Sequence, residues 1–131
     1  MGTAEVRYLK INYDEVIREL RSYAKSIART HKNVRAIVLV GSLAKGNYTG
    51  ASDADVLVIA ENLPPQFLER YAIFADARMS IDVEPHVYST EEFLKMAREG
   101  NHFAVDAMKI GIPLGGEKFF TDLKARVRMG S

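Results

Sequence analysis

The sequence contains no cysteine, which excludes disulfide bonds, cysteine nucleophiles and thiolate metal sites. It has no apolar run near the roughly 18 residues that a membrane span requires, and its first residues lack the apolar core of a signal peptide. We therefore expect a cytoplasmic protein without a membrane segment. Positive and negative charges are nearly balanced, since 18 basic and 17 acidic side chains leave a net charge of +1. This balance argues against a protein whose main task is to coat nucleic acid.

The sequence does have an ordinary globular composition, with 131 residues, of which 47% are hydrophobic and 27% are charged. This length corresponds to about one domain, so we expect residues 1–131 to form a single domain. The charge is unevenly spread. Residues 1–52 carry 9 basic and 4 acidic side chains, whereas residues 53–99 carry 4 basic and 10 acidic ones. Two interpretations stay open, namely two solvated faces or an acidic centre that requires a cation.

Hydrophobic periodicity predicts strands that alternate with helices, and hence an α/β (α+β) protein with helices packed on a small mixed sheet. The predicted strands are 34–40, 54–60, 80–88 and 112–114, and the predicted helices are 13–31, 65–77, 90–98, 101–109 and 116–128. Residues 41–52 are predicted as a loop with one helical turn at 42–45, short enough for the first two strands to run antiparallel.

Several residues predict where these elements begin or lie in the sheet. Asn12 or Asp14 is expected to cap the first helix, and Pro65 suits the first turn of the second. Ser89 opens a capping signature for the helix at 90–98. Pro85 places the third strand at an edge or at a position whose N–H is unpaired.

Asp53 and Asp55 lie two residues apart at the start of the second predicted strand, so they point to the same face. Two carboxylates this close repel, and a divalent cation between them removes the repulsion. Oxygen ligands of this kind select Mg²⁺ or Mn²⁺ over zinc. The alternative is an ordinary pair of surface charges at the start of a strand.

Gly41 and Ser42 follow the first predicted strand directly. A glycine here lets backbone N–H groups approach an anion closely, and the serine adds a hydroxyl donor, as in a phosphate cradle. The stretch does not match the P-loop pattern. A phosphate cradle that faces a carboxylate pair indicates a nucleoside triphosphate with its metal, although Gly41 and Ser42 alone could form a simple turn.

A third acid would complete the site, and the third strand offers two. Asp82 and Glu84 share one face of this strand. Either carboxylate could bind a metal or take a proton from an attacking hydroxyl. His86 shares the same face and is expected at the rim of the site rather than as a catalyst.

The Gly-Ser pair, ten residues, and then Asp-x-Asp before an apolar strand resemble the minimal nucleotidyltransferase family of the DNA polymerase β superfamily. The resemblance runs from about residue 34 to residue 114 and includes the segment VYSTEEFLKMAREGNHFAVDAMKIGIPL. It implies the nucleotidyltransferase fold, flanked by an N-terminal helix within 1–33 and a C-terminal helix within 115–131.

The resemblance also implies the roles of the site residues. Asp53, Asp55 and the third acid would bind two Mg²⁺ ions, or Mn²⁺, while Gly41 and Ser42 would hold the phosphates of the NTP. The family's third acid stands about five residues before the next helix, which favours Glu84 over Asp82. The sequence departs from the family pattern in having Glu84 where Asp is usual and Leu43 where Arg is frequent. Lys45 keeps a cation for nucleotide binding.

The activity implied by the resemblance is metal-dependent transfer of an NMP, with AMP expected from ATP, onto a hydroxyl acceptor with release of pyrophosphate. Single-domain relatives of this kind pair with a HEPN-type helical toxin as its antitoxin, so we expect such a partner or a second copy of the chain. No membrane partner is expected. Nucleic acid is not indicated, although a tRNA or other RNA acceptor stays open. The alternative is a catalytically degenerate module that binds a nucleotide or a partner.

Overall fold

The computed structural model describes residues 2–46, 53–75 and 82–130, with side chains described from Tyr13 onward. Within these ranges the chain forms six helices and four strands. In chain order they are α1 (Gly2–Thr30), β1 (Val34–Val40), α2 (Gly41–Lys45), β2 (Ala54–Ala60), α3 (Phe67–Phe74), β3 (Val83–Tyr88), α4 (Thr90–Arg98), α5 (His102–Ile110), β4 (Ile112–Gly115) and α6 (Glu117–Arg128). Predicted loop, helix and strand positions at 47–52, 76–77 and 80–81 lie outside the described residues.

The four described strands form one mixed sheet in the order β3-β2-β1-β4. Strand β1 pairs antiparallel with β2 and with β4, whereas β2 and β3 run parallel. The two central strands are the most apolar and the most β-branched, because both of their faces are buried. The predicted α/β class, the small mixed sheet and the antiparallel pairing of the first two strands are confirmed.

Strand β3 lies at an edge of the sheet, as Pro85 predicts. Pro85 is paired with Val56 in the parallel register with β2. Proline has no N–H with which to bind a further strand, so it is tolerated where one side of the strand has no neighbour.

Helices cover both faces of the sheet. On one face α1 contributes Val16 and Leu20 to a buried hydrophobic cluster. On the other face α4, α5 and α6 contribute Phe93, Ala104 and Phe120 to a second cluster. Alternate residues of the central strands enter the two clusters, as the two-residue period of a strand requires.

The starts of α4 and α5 follow their predicted caps. The Ser89 hydroxyl accepts a hydrogen bond from the Glu92 N–H, and the Ser89 N–H donates to the Glu92 carboxylate, which completes a capping box. The Asn101 side chain accepts from the Ala104 N–H at the start of α5. These local hydrogen bonds fix both helix boundaries close to the predicted positions.

Helix α1 begins at Gly2, so the predicted start at residue 13 is wrong. Asn12 and Asp14 lie inside the helix and do not cap it. A residue with capping propensity starts a helix only where the residues before it are not helical. Residues 3–12 contain no glycine or proline that would interrupt the helix. Among the described residues, no helix, including the long α1, is long and apolar enough to cross a membrane.

Helix α3 is shorter than predicted at both ends. Pro65 precedes the helix, because Gln66 still has extended geometry, and Ala75 is extended again. The Pro64 carbonyl accepts a hydrogen bond from the Arg70 side chain at 2.6 Å. The prediction that Pro65 lies in the first turn of this helix is therefore wrong.

Candidate functional site

The predicted site lies at the end of the sheet where β1 finishes and where β2 and β3 begin. The register places Val40 of β1 opposite Asp55 of β2, and Asp55 opposite Glu84 of β3. Side chains of residues paired across strands share a face, so the two carboxyl groups lie side by side. Gly41 follows Val40 and opens α2. The sheet therefore brings Gly41, Asp55 and Glu84 together.

The carboxyl group of Glu84 is perturbed by its neighbours. A hydrogen bond with Asp55 is the main cause that raises the pKa of Glu84, followed by desolvation and the negative charge of Asp55. The charge of Asp53 raises this pKa further, whereas His86 lowers it. The direction shows that anionic groups crowd this end of the sheet. A cation among them would stabilise the ionised carboxylates.

His86 lies inside this cluster and not at its rim, which corrects the expectation from the sequence. Its Nε2 atom is 3.1 Å from Asp55 Oδ1 and 3.7 Å from Glu84 Oε2. The ring packs against Phe103 of α5 with the centroids 4.8 Å apart. Strand periodicity placed His86 on the correct face. The contact with Asp55 depends on how β2 and β3 pair, and this pairing cannot be deduced from the sequence alone.

The backbone at Gly41 approaches the Asp55 carboxylate closely. Gly41 has a φ of +73°, which favours glycine. A Cβ atom at this position would lie 2.7 Å from Asp55 Oδ2. Glycine is therefore required here both for the turn and for the space beside the carboxylate. The predicted position of Gly41 next to the carboxylates agrees with this geometry.

Lys45, predicted to contact the nucleotide, lies at the end of α2 and forms an ion pair with Asp106 of α5. Lys45 Nζ is 3.4 Å from Asp106 Oδ2, and the lysine side chain is 45% exposed. Ser42, on the same short helix, is half-buried. Helix α5 thus contacts both sides of the site, through Phe103 on His86 and through Asp106 on Lys45. Asp106 gave no signal in the sequence.

Asp53 and Asp82 stand apart from the closest cluster. Asp53 is exposed and precedes β2 by one residue, and its charge acts on Glu84. Asp82 is also exposed, and its backbone carbonyl accepts from the Ala54 N–H at 2.9 Å. Of the two candidates for the third acid, Glu84 is the one that the structure places against Asp55.

The closest cluster suits a divalent cation. One ligand atom from each of Asp55, Glu84 and His86 lies within 4.8 Å of the other two, and in the described parts of the chain this is the one such group of acidic and histidine side chains. Small side-chain rotations bring atoms at this spacing within reach of one ion, whose ligand distances are about 2.0–2.4 Å. Two carboxylate oxygens and an imidazole nitrogen are all common metal ligands.

Comparisons with known proteins show the family to which the chain is related. The family model described as "Nucleotidyltransferase domain" matches residues 17–109. A candidate protein adenylyltransferase of Methanocaldococcus jannaschii, MJ1305, is 38% identical over 56 residues, which cover 38% of this chain and 38% of that protein. The match thus spans little more than a third of the curated relative.

Two solved structures share the fold. The crystal structure of a candidate nucleotidyltransferase from Sulfolobus solfataricus has a TM-score of 0.55 and 17% identity, and the match covers 77% of this chain and 80% of that one. The crystal structure of a toxin–antitoxin with AMP-PNP has a TM-score of 0.57 and 17% identity, and covers 83% of this chain and 84% of that one. At this level of identity the likeness shows a common fold.

Proposed function

The chain belongs to the nucleotidyltransferase domain family, and from this premise we propose that it transfers an NMP from an NTP to an acceptor hydroxyl, with release of pyrophosphate. The observation that carries the proposal is the pairing of Asp55 with Glu84 beside Gly41. It puts a carboxylate pair next to a backbone turn that has no side chain in the way. We propose ATP as the NTP and AMP as the group transferred. Two similar proteins support this choice. One is the candidate protein adenylyltransferase, and the other is the toxin–antitoxin whose structure contains AMP-PNP.

The residues fit a divalent cation, Mg²⁺ or Mn²⁺. Asp55 and Glu84 would hold it in the closest cluster, and exposed Asp53 would turn toward the same end of the sheet to hold a second ion. When bound, such ions neutralise charge on the phosphates and hold the attacking and leaving oxygens in line. The crowding that raises the pKa of Glu84 is the feature that such a cation relieves.

The α2 segment would bind the phosphates of the NTP. Gly41 allows backbone N–H groups to come close to the phosphate oxygens, and the half-buried Ser42 hydroxyl can donate to them. Lys45 adds a positive charge at the end of the same segment. Its ion pair with Asp106 is partly exposed and therefore weak enough for the ammonium to turn toward a phosphate.

The chemical step is an in-line displacement. The acceptor oxygen forms a bond to the α-phosphorus, the bond from that phosphorus to the oxygen that bridges to the β-phosphate breaks, and pyrophosphate leaves with the electron pair. The Glu84 carboxylate accepts the hydroxyl proton. The side chain of Glu84 is exposed, which leaves its carboxylate accessible to an acceptor.

We propose that the acceptor belongs to a protein partner, and that the chain acts as an antitoxin toward a helical toxin of the HEPN type. A toxin partner is supported by one structure that shares this fold, which is that of a toxin–antitoxin. A second copy of the chain or an RNA acceptor is the competing outcome. The macromolecule that carries the AMP label identifies the acceptor.

A second candidate function is nucleotide binding without turnover, and the environment of Leu43 favours it. Leu43 is fully buried in the same hydrophobic cluster as Val16 and Leu20 of α1. Its apolar side chain has no hydrogen-bond donor for a phosphate, unlike the Arg that is frequent at this position in the family that the sequence resembles. The phosphates would then depend on Gly41, Ser42 and Lys45 alone. Such a module would bind the NTP and metal but leave the α-phosphate in place.

Transfer is tested with ATP labelled at the α-phosphate, a divalent cation, and the chain with its co-purified partner or with RNA. Label is expected on a macromolecule with the wild type and not with the Asp53→Ala, Asp55→Ala double variant. Asp122→Asn, which removes an exposed carboxylate on α6, is the matched control and should label normally. Binding of ATP without labelling would support the second candidate, and labelling by the double variant would contradict the proposal.

A further inference from the structure

We propose that His86 is a ligand of the divalent cation at this site and that it gives the site a preference for Mn²⁺ over Mg²⁺. This inference rests on the proposed function, because it concerns the same cation. The observation behind it is that an imidazole nitrogen, and not only oxygen atoms, lies within 4.8 Å of a carboxylate oxygen of both Asp55 and Glu84.

The distances suit coordination by one ion. His86 Nε2 is 3.1 Å from Asp55 Oδ1 and 3.7 Å from Glu84 Oε2. Two ligands at right angles on a metal, each about 2.1–2.2 Å from it, are separated by about 3 Å. The nitrogen therefore stands at the spacing of an adjacent ligand of Asp55, and it is displaced from the corresponding spacing to Glu84 by less than one ångström.

The ring is held in this position by its surroundings. His86 lies on β3, two residues after Glu84 and on the same face, and its side chain is 30% exposed. The ring contacts that of Phe103 of α5 in a tilted arrangement, with a centroid distance of 4.8 Å and an interplanar angle of 37°. A ligand that is already positioned loses little side-chain entropy when the ion binds.

The identity of the donor atoms determines the metal preference. Mg²⁺ favours oxygen ligands and gives up its water reluctantly, whereas imidazole binds the divalent transition metals well. Two carboxylates with one imidazole therefore favour Mn²⁺ over Mg²⁺ more strongly than carboxylates alone. Partial exposure of all three side chains leaves room for water and phosphate oxygens as the remaining ligands.

The test uses the full chain freed of metal with EDTA and dialysed, with Mn²⁺ alone and Mg²⁺ alone as probes and no nucleotide. Binding of Mn²⁺ is measured by the loss of the free-ion EPR signal, and Mg²⁺ by competition. The wild type should bind Mn²⁺ at least about tenfold more tightly than Mg²⁺. Pulsed EPR of bound Mn²⁺ should show modulation by a directly bound ¹⁴N nucleus.

Two variants and one matched control make the test specific. His86→Gln, which offers an amide oxygen, should retain Mg²⁺ binding while the preference for Mn²⁺ falls severalfold and the ¹⁴N modulation disappears. His86→Ala should also lose the modulation. His31→Gln is the control, because His31 lies just before β1, at the opposite end of the strand from the site, and contacts Phe74. Circular dichroism confirms that each variant is folded.

The inference and the proposed function fail in different ways. If wild-type chain binds Mn²⁺ without ¹⁴N modulation, or if His86→Gln leaves the Mn²⁺ to Mg²⁺ ratio unchanged, His86 is not a ligand, whatever the transfer activity. If the modulation and the metal preference are as expected but no NMP is transferred from ATP, the inference stands and the proposed activity is wrong.

Discussion

Asp55 and Glu84 are paired across the parallel strands β2 and β3, and a hydrogen bond between their carboxyl groups raises the pKa of Glu84. The pairing arises from two sequence features that are 29 residues apart, the Asp-x-Asp at the start of β2 and the acid two residues into β3. Neither strand supplies a paired site alone. The parallel register of β2 and β3 is therefore what brings the two carboxyl groups together.

We propose Glu84 as the third acid of the site, because it is paired with Asp55, so its charge should matter more than that of Asp82. Glu84→Gln keeps the shape of the side chain but removes the base, and we expect the rate of NMP transfer to fall by about 100-fold or more. Asp82→Asn is the matched control, since Asp82 is exposed and outside the closest cluster. Single-turnover labelling measures both. Loss of transfer in the Asp82 variant alone would reverse this assignment.

Gly41→Ala should damage the metal site, and Gly46→Ala should not. Both glycines have positive φ, +73° and +79°, so each alanine should cost roughly 1–2 kcal/mol of folding free energy from backbone strain. Only the Cβ at position 41 meets Asp55, whereas nothing lies within 4 Å of the one at position 46. We expect Mn²⁺ affinity to fall in the first variant and to stay within about twofold in the second.

Urea denaturation and Mn²⁺ titration of the two glycine variants provide this comparison. A lower Mn²⁺ affinity for Gly41→Ala than for Gly46→Ala, with both variants folded, is the expected result. If both variants bind Mn²⁺ as the wild type does, the close approach of Gly41 to Asp55 has no role in the site.

Lys45 should contribute to binding of the nucleotide and not to the chemical step. Lys45→Ala removes one ammonium group from the phosphate side of the site, so KM for ATP should rise severalfold while kcat changes little. Asp106→Asn frees the ammonium of its partner in the 3.4 Å ion pair and should lower KM. Lys118→Ala, at an exposed position of α6, is the control. A drop in kcat with unchanged KM in the Lys45 variant would disprove this role.

The ion pair between Arg70 and Glu92 should make the fold sensitive to acid. The Arg70 side chain is 7% exposed, and besides Glu92 it donates to the carbonyls of Pro64 and Val87, so it joins α3, β3 and α4. The hydrogen bond from Arg70 lowers the pKa of Glu92. A carboxyl group whose pKa is lower in the folded state stabilises the fold above its unfolded pKa, about 4.3. This stability is lost as the pH falls through the lower folded pKa.

Glu92→Gln keeps the capping box but leaves the buried guanidinium without its anion. We expect a loss of on the order of 2 kcal/mol at neutral pH, at the low end for buried pairs because Glu92 is 40% exposed. The variant should also lose less stability than the wild type as the pH falls below about 4.3. Urea denaturation at several pH values measures both effects. A neutral-pH stability equal to that of wild type, or an unchanged acid dependence, would contradict the structural role of the pair.

Much of the fold was predictable because its signals are local. The apolar, β-branched run of β1 lies between Asn33 and Gly41, and it forms a strand with the predicted ends. Ser89 and Asn101 cap helices through hydrogen bonds to residues three positions away, so sequence spacing reveals them. The start of α1 was mistaken because capping propensity is weak evidence when the preceding residues also favour a helix.

The site was predictable as a set of residue types but not as a set of contacts. The spacing of Gly41, Asp55 and Glu84 identified residues that the sheet brings together. The contacts between His86 and Asp55 and between Lys45 and Asp106 join residues 31 and 61 positions apart. Such pairs depend on strand register and on how α5 packs over the sheet, and a single sequence contains no direct record of either.

The proposed NMP transfer is tested by following both ends of the triphosphate in one reaction. The chain, its acceptor and Mn²⁺ are incubated with ATP labelled at the α-phosphate or, in parallel, at the γ-phosphate, for the wild type and for Asp55→Asn. We expect the α-label to appear on the acceptor, the γ-label to appear in pyrophosphate, and both signals to vanish in the variant. Transfer of the γ-label to the acceptor, or undiminished α-transfer by Asp55→Asn, would contradict the proposal.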